Sequence, residues 1–251
     1  MGRPKRKGPP PRPRIGADPG APLVLAIDTS GPVESVALVQ GGLVLADQRL
    51  RRPRRRGTAL GVGVRDLLAA VDRSPADLAA IAVVIGPGAF TGLRVGVATA
   101  HGLARATGAQ LYGYDATLAH ACGVTPGAGR VGVLLDARRD EVYTAVFAPR
   151  HDDGLPTVER ATTLESPATF IAAVDGPLLL VGDGARLYAS VLTDGLPEAR
   201  VGHLTPSGAD LASVAADAER RLAAGEPGPV EAVQPLYLRD HDAAKRLPAA
   251  P

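Results

Sequence analysis

The sequence predicts an α/β protein built from two tandem units, each a mixed sheet with helices packed on it. Three observations carry that prediction. Each half opens with short apolar strands joined by tight turns, and each then alternates helix and strand. A glycine-rich stretch, Gly123–Gly129, separates the halves. The chain has 251 residues, 45% hydrophobic and 22% charged, which suffices for a sizeable core. With no Trp, 3 Phe and 1 Met, that core must be made of Ala, Val, Leu and Ile. The expected division is a disordered basic leader over 1–22, an N-terminal lobe over 23–125, a C-terminal lobe over 126–240 and a tail over 241–251.

Order begins at Leu23–Ile27, an apolar run ended by Asp28-Thr29-Ser30-Gly31-Pro32. Val33–Val39 alternates as a second strand, Gln40-Gly41-Gly42 is a hairpin turn, and Leu43–Leu50 is a third strand, so the three form an antiparallel meander. Arg51–Arg56 is a basic loop. Beyond Gly57-Thr58, the residues Leu60, Val64, Leu67, Leu68 and Val71 fall at helical spacing. Ser74–Asp77 makes a turn into a buried strand, Leu78–Ile85. The loop from Gly86 to Gly92 leads into a helix ending near Thr107; Gln110–Tyr114 is a strand and Ala116–Cys122 a short helix. The second half repeats this grammar. Val131–Asp136 and Val142–Phe147 flank a turn at Ala137–Glu141, and a third strand lies near Val158. A helix opens at Ser166-Pro167, with proline suited to the first helical position. Leu178–Val181 is a strand, Ala185–Leu192 a helix, and Ser207–Ala224 a longer helix.

Charge and composition remove several function classes. Residues 1–14 hold six basic residues and no acid; without them, 22 basic face 26 acidic residues, so the body sums to −4. The formal +2 therefore belongs to a leader and gives no support to a nucleic-acid-binding body. Lys5, Lys7 and Lys245 are the only lysines, so residues 8–244 can supply neither a Walker lysine nor a Schiff-base lysine. One cysteine, Cys122, excludes an internal disulfide and any CxxC pair, which suits a reducing compartment. No apolar run reaches the roughly 20 residues of a membrane span, and no apolar segment marks a secretory signal. His101, His120, His151, His203 and His241 have no metal-ligand spacing, and no GxSxG is present.

Three features can carry function. The strand–glycine loop–helix segment Ile85–Gly96 forms an anion site on general grounds, with Gly86, Gly88, Thr91 and Arg94 as its residues; a plain chain reversal explains the same pattern. Along the following helix Gly92, Gly96, Ala100 and Ala104 recur every four residues. They make a flat edge that packs either on the protein's own sheet or, with Leu60 and Val64 of the preceding helix, on a second chain. Asp28-Thr29 and Asp136 end corresponding strands of the two halves, and Gly182-Asp183-Gly184 stands later in the second. Together they match the phosphate and adenosine turns of the actin-like ATPase fold, but Ala137-Arg138-Arg139 follows Asp136 where a glycine and hydroxyl turn is needed, so a vestigial cleft is the reading adopted.

With the loop Gly86-Pro87-Gly88-Ala89-Phe90-Thr91-Gly92-Leu93-Arg94-Val95-Gly96 on the page, a resemblance is evident. The sequence resembles the TsaB (YeaZ) family of tRNA threonylcarbamoyladenosine biosynthesis. Besides that loop it carries Leu25–Ser30, Asp136–Tyr143, Gly182–Ala185 and Gln234–Arg239, in order, from Leu23 to about Ala244. The resemblance implies two tandem actin-like (ribonuclease H-like) lobes and a cytoplasmic, non-catalytic subunit. It implies pairing with the catalytic subunit TsaD and the ATPase TsaE, a homodimer when alone, and contact with tRNA only through the complex. It implies no cofactor of its own, with ATP and Mg at the interface of the complex. TsaD carries an HxxxH metal pair, which this sequence lacks. Arg54–Ala59 departs from the family, which has a His and acidic residues there. The residues leave other readings open: an actin-like ATPase or kinase using Asp28 and Asp136, a peptidase, or a tRNA-binding protein acting through the leader and Arg49–Arg56.

Overall fold

The computed structural model describes Asp18 and residues 20–51, 58–150, 154–202 and 209–239. The leader up to residue 17, Arg52–Gly57 of the basic loop, His151, Asp152, Asp153, His203, the Ser207 start of the last helix and the tail lie outside the described residues. The elements run β1 (Leu23–Asp28), β2 (Val33–Gln40), β3 (Leu43–Arg51), α1 (Thr58–Ala69), β4 (Leu78–Gly86), α2 (Phe90–Thr107), β5 (Gln110–Asp115) and α3 (Ala116–Cys122). The second half holds β6 (Val131–Arg138), β7 (Glu141–Phe147), β8 (Val158–Glu165), α4 (Pro167–Ala173), β9 (Leu179–Val181), α5 (Asp183–Leu187), α6 (Ala189–Gly195), β10 (Arg200–Val201) and α7 (Leu211–Ala223).

The two five-stranded sheets are ordered β3-β2-β1-β4-β5 and β10-β9-β6-β7-β8. Written from its other edge, the second reads β8-β7-β6-β9-β10 and repeats the first strand for strand, with β6 in the place of β1. The antiparallel meander expected at the start of each half is present, and the strands after each helix join in parallel. The chain is therefore the duplicated α/β protein that its pattern predicted. Two local expectations need correction. The helix expected over Ala185–Leu192 is two, α5 and α6, broken where Tyr188 leaves helical geometry at φ −106° and ψ 21°. The expected loop to Gly92 is shorter, because α2 already starts at Phe90 and includes Thr91 and Gly92.

Burial sorts these elements into five layers. One face of the first sheet packs Leu25, Ile27, Leu38, Ile81 and Val83 against Leu60, Val64, Leu67 and Leu68 of α1 and Val97, Ala100 and Ala104 of α2. The far face of the second sheet packs Leu134, Val142, Val146 and Leu180 against Phe170 of α4, Ala185 of α5 and Leu192 of α6. Between the sheets lie α3 and α7, and a single cluster runs from Val24, Ala26 and Ala82 through Ala119, Val214 and Ala218 to Val133, Ala145 and Phe147. Alanines on both helices and on the facing strands let helix backbones approach the sheets closely. Each central helix is capped by an aspartate: Asp115 accepts from Thr117 N at 2.6 Å, and Asp210 from Ala212 N at 3.0 Å. Asp210 N also donates to Ala119 O at 2.8 Å, joining the start of α7 to α3.

By position α7 follows the second lobe, yet it packs on β1, β2 and β4 of the first. Glu219 of α7 holds the β2–β3 turn, accepting from Gly41 N at 2.7 Å and Gly42 N at 2.8 Å. Both glycines have positive φ, 58° and 71°, the backbone a two-residue hairpin turn requires. The chain then runs along β5, where Leu111 N donates to Gly228 O, and on to β4, where Leu236 N donates to Ile85 O at 2.8 Å. Gly123–Gly129 is pinned rather than loose, since Arg150 donates to Cys122 O at 3.2 Å and Val124 O at 2.9 Å. Burial, with the Asp210 charge next, pushes the Cys122 thiol up to about 12.

A polar knot sits at the edge of the second sheet's outer core. Arg160 donates to Glu165 at 2.8 Å and to Thr144 at 2.9 Å, and Thr144 donates to Glu165, whose side chain is 7% exposed. Burial alone would raise the Glu165 carboxyl, but the bonds from Arg160 and Thr144 outweigh it and hold the group below the usual carboxylate range. The resulting stabilisation is full above the unfolded-state value of about 4.3 and is lost as pH falls through the lower folded value. Glu165→Gln leaves Arg160 without its charge partner, so we expect a loss of about 1–3 kcal/mol at neutral pH. The loss should shrink as pH drops below 4, measured by urea unfolding at several pH values; a pH-independent loss would contradict the charged knot.

Candidate functional site

The turns expected from sequence follow the C-terminal ends of β1, β4, β6 and β9; those after β1 and β4 touch each other, and those of β6 and β9 touch each other. At the first turn Asp28 is 1% exposed and Thr29 is fully buried. Asp28 Oδ1 accepts from Ser30 N at 2.8 Å and from the Ser30 hydroxyl at 2.7 Å. Thr29 turns away from the inter-lobe side, and its hydroxyl donates to Gly92 O at 2.8 Å in the first turn of α2. A Cβ added at Gly96 would stand 2.2 Å from that hydroxyl oxygen. Gly96 is thus the gap in α2 into which Thr29 fits.

That fit decides between the two readings of the small-residue stripe. Gly92, Gly96, Ala100 and Ala104 are all buried in the chain's own core, as are Leu60 at 1% and Val64 at 3% exposure. As a partner surface these six residues are a correction: they hold α1 and α2 on the first sheet. The outward side of α2 instead presents Thr91, Arg94, Ala98, Gly102, Arg105 and Ala106, and that of α1 presents Gly61, Val62, Arg65 and Asp66. Ala98, Gly102 and Ala106 form a second stripe at the same four-residue spacing, missed in the sequence because only the inward stripe was singled out.

The glycine loop is likewise engaged by its own chain. A Cβ at Gly88 would lie 2.5 Å from Ser30 O, and one at Gly86, whose φ is +121°, would lie 2.7 Å from Leu236 O. Ala89 N donates to Ser30 O at 2.8 Å, so the loop is laced to the first turn. Arg94 does not stand over the loop. Its guanidinium lies 4.1 Å above the Phe90 ring and donates to the Tyr237 hydroxyl at 3.3 Å, while the two rings stack with centroids 4.8 Å apart. The glycines therefore serve close backbone approach, with Thr91 exposed beside them.

The second-half turns are also closed. Asp136 accepts from Arg138 N at 2.8 Å and pairs with the Arg138 guanidinium at 2.9 Å. Gly182, at φ +109°, would place a Cβ 2.2 Å from Leu134 O, and Gly184 would place one 2.9 Å from the Leu135 carbonyl carbon. The Asp183 carboxylate between them accepts from Asp136 N and Gly184 N, both at 2.9 Å, so it caps the end of β6. In both second-half turns the backbone N–H groups are therefore engaged by carboxylates of their own chain. Arg138, Arg139 and Asp140 all take positive φ, 64°, 57° and 58°. Left-handed backbone costs non-glycine residues about 1–2 kcal/mol each, and this hairpin tip carries three in a row. Arg239 reaches the tip from the C-terminal segment, donating to Glu141 and, at 3.4 Å, to Arg138 O.

The two histidines among the described residues have structural partners: His101 Nε2 donates to Val233 O at 2.7 Å and His120 Nδ1 to Ala116 O at 2.8 Å. Among the described residues no three His, Cys, Asp or Glu side chains gather as a metal set, and no helix is long and apolar enough to cross a membrane.

Residues 54–173 match the family model of TsaD, tRNA N6-adenosine threonylcarbamoyltransferase. The chain is 32% identical over 231 residues to the tRNA threonylcarbamoyladenosine biosynthesis protein TsaB of Escherichia coli K12, covering 90% of this chain and 98% of that one. It is 28% identical to the protein of the same name from Bacillus subtilis, over 68% of this chain and 75% of that one. Among solved structures, YeaZ from Pseudomonas aeruginosa superposes with a TM-score of 0.68 at 30% identity, covering 86% of this chain and all (100%) of that one.

The fit of Thr29 into α2 makes two glycines of one helix behave oppositely. Gly96→Ala should destabilise by about 1–3 kcal/mol through overpacking against Thr29. Gly102→Ala, which meets nothing within 4 Å, should stabilise by roughly 0.5–1 kcal/mol. Paired urea titrations check both, and equal effects would contradict the described seat of α2.

Proposed function

We infer the function from one premise: this chain belongs to the TsaB family of tRNA threonylcarbamoyladenosine biosynthesis proteins. It serves the formation of N6-threonylcarbamoyladenosine in tRNA as an accessory subunit. The observation that carries this reading is end-to-end similarity, since the alignment spans 98% of the Escherichia coli protein at 32% identity. The partner is a catalytic chain of the TsaD kind, which transfers threonylcarbamoyl to the adenosine next to the anticodon, with the ATPase TsaE completing the cytoplasmic complex. A shared ancestry of the two chains supports the pairing, because residues 54–173 of this one fit the TsaD model. Related chains commonly associate through equivalent surfaces about a twofold or pseudo-twofold axis.

The docking face in this proposal is the outward side of α1 and α2. Val62 is 44% exposed there, and Ala98, Gly102 and Ala106 leave α2 smooth, so a partner helix can come close. Arg65, Asp66, Arg94 and Arg105 form a charged rim around it. When the partner is absent, a second copy takes the same face. ATP and its Mg belong on this reading to the complex, because Asp28 and Thr29 are already committed to Ser30 and Gly92.

Co-expression with the TsaD of the same organism should yield a heterodimer on size exclusion. Ala98→Arg, on the exposed side, should weaken it at least tenfold, about 1.4 kcal/mol, with the melting temperature unchanged. Ala100→Arg, two residues on, should unfold the protein. A heterodimer indifferent to Ala98→Arg would move the interface off this face, and clean separation of the two chains at micromolar concentration would overturn the accessory role.

A further inference from the structure

The C-terminal segment ends on the strained β6–β7 hairpin, and its contacts assign it a mechanical task beyond the reading above. Its anchor in the first lobe is backbone-deep: Leu236 N donates to Ile85 O at 2.8 Å, and its carbonyl fills the space that Gly86 leaves empty. Tyr237 continues the anchorage on Phe90 and Arg94 of α2. Arg239 then crosses to the second lobe, where it meets the Glu141 carboxylate and the Arg138 carbonyl. Leu236 and Arg239 are three residues apart, at most roughly 10 Å of chain, so the segment is short where it crosses. The lobes are also joined by the alanine-rich layer of α3 and α7, against which Leu238 of the segment packs.

We propose that residues 233–239 form a clasp that sets the angle between the lobes, with Arg239 as its latch and the Arg138–Asp140 hairpin tip as the catch. The latch is the part built to release. Its side chain is 23% exposed and that of Glu141 is 39% exposed, so water can replace the ion pair. The anchor at Leu236 is a backbone bond beside a buried glycine and stays. The three left-handed residues of the catch favour relaxation once Arg239 no longer holds the Arg138 carbonyl. Opening then pivots on α3 and α7 and parts the ends of β1 and β6.

Hydrogen exchange and small-angle scattering of the full chain test the clasp, with Arg239→Ala as latch-off and Arg239→Lys as the conservative control. In Arg239→Ala, amides of 136–141 should exchange at least fivefold faster, and so should those of the first-lobe turn at 28–32, which closes the end of β1, with an increased radius of gyration. The amide of Leu236 should keep its protection. Arg239→Lys should fall between wild type and Ala. Faster exchange confined to residues 237–241, with the turns and the radius unchanged, would overturn the proposal. Loss of protection at Leu236 together with the turns would overturn it too, because the segment would then be fraying as a whole. None of these outcomes depends on a partner, so the docking proposal can fail while this one stands.

Discussion

The arrangement depends on a hydroxyl placed in a gap. Thr29 leaves the end of β1 and donates to the carbonyl of Gly92, and it can do so only because Gly96 has no side chain. Dispersion and hydrogen bonding act together here, and neither survives the addition of one methyl group. The contact fixes the rotation of α2 about its own axis. With that rotation set, Leu93, Val97, Ala100 and Ala104 enter the core, and Ala98, Gly102 and Ala106 face outward. The same contact turns Thr29 away from the inter-lobe side and leaves the first turn to be closed by Asp28 and Ser30.

Duplication explains why the central layer is shared. α3 follows the first sheet and α7 the second, each capped by an aspartate, and each packs against strands of both sheets or against the other central helix. Ala26, Ala80 and Ala82 keep the inner face of the first sheet low where the central layer packs, while Val133, Tyr143 and Phe147 give the second sheet's inner face its bulk. Set face to face across two alanine-lined helices, the sheets bury one another's inner residues. The abundance of alanine thus belongs mostly to close layering inside the chain.

Much of this was legible in the sequence. The strands of the first meander, α3 and the Ser166–Pro167 start of α4 follow from alternation, glycine turns and caps, all of them local signals. The helix break at Tyr188 was not legible, because Ala185–Leu192 holds no Pro or internal Gly and the break is a tertiary effect. The direction of the small-residue stripe was partly legible. Leu93 and Val97 stand three residues before Gly96 and Ala100, whereas Arg94 is four before Ala98 and Arg105 three after Gly102, so the apolar side of α2 already pointed to the buried one. The closure of the turns was not, since it depends on Ser30 meeting Ala89 and Arg239 meeting Glu141, pairs separated by long stretches of chain.

Cys122 closes α3 inside the shared layer, 2% exposed, with its thiol pushed up to about 12. At neutral pH the group is therefore held as the thiol, whereas the thiolate is the form that attacks disulfides and electrophiles. Oxidants and alkylating reagents therefore find almost nothing to react with while the sheets remain packed on α3. An unfolded chain exposes an ordinary thiol, with a pKa of about 8.5. The lone thiol makes the native protein quiet toward thiol reagents, and it turns the integrity of its innermost layer into something such a reagent can count.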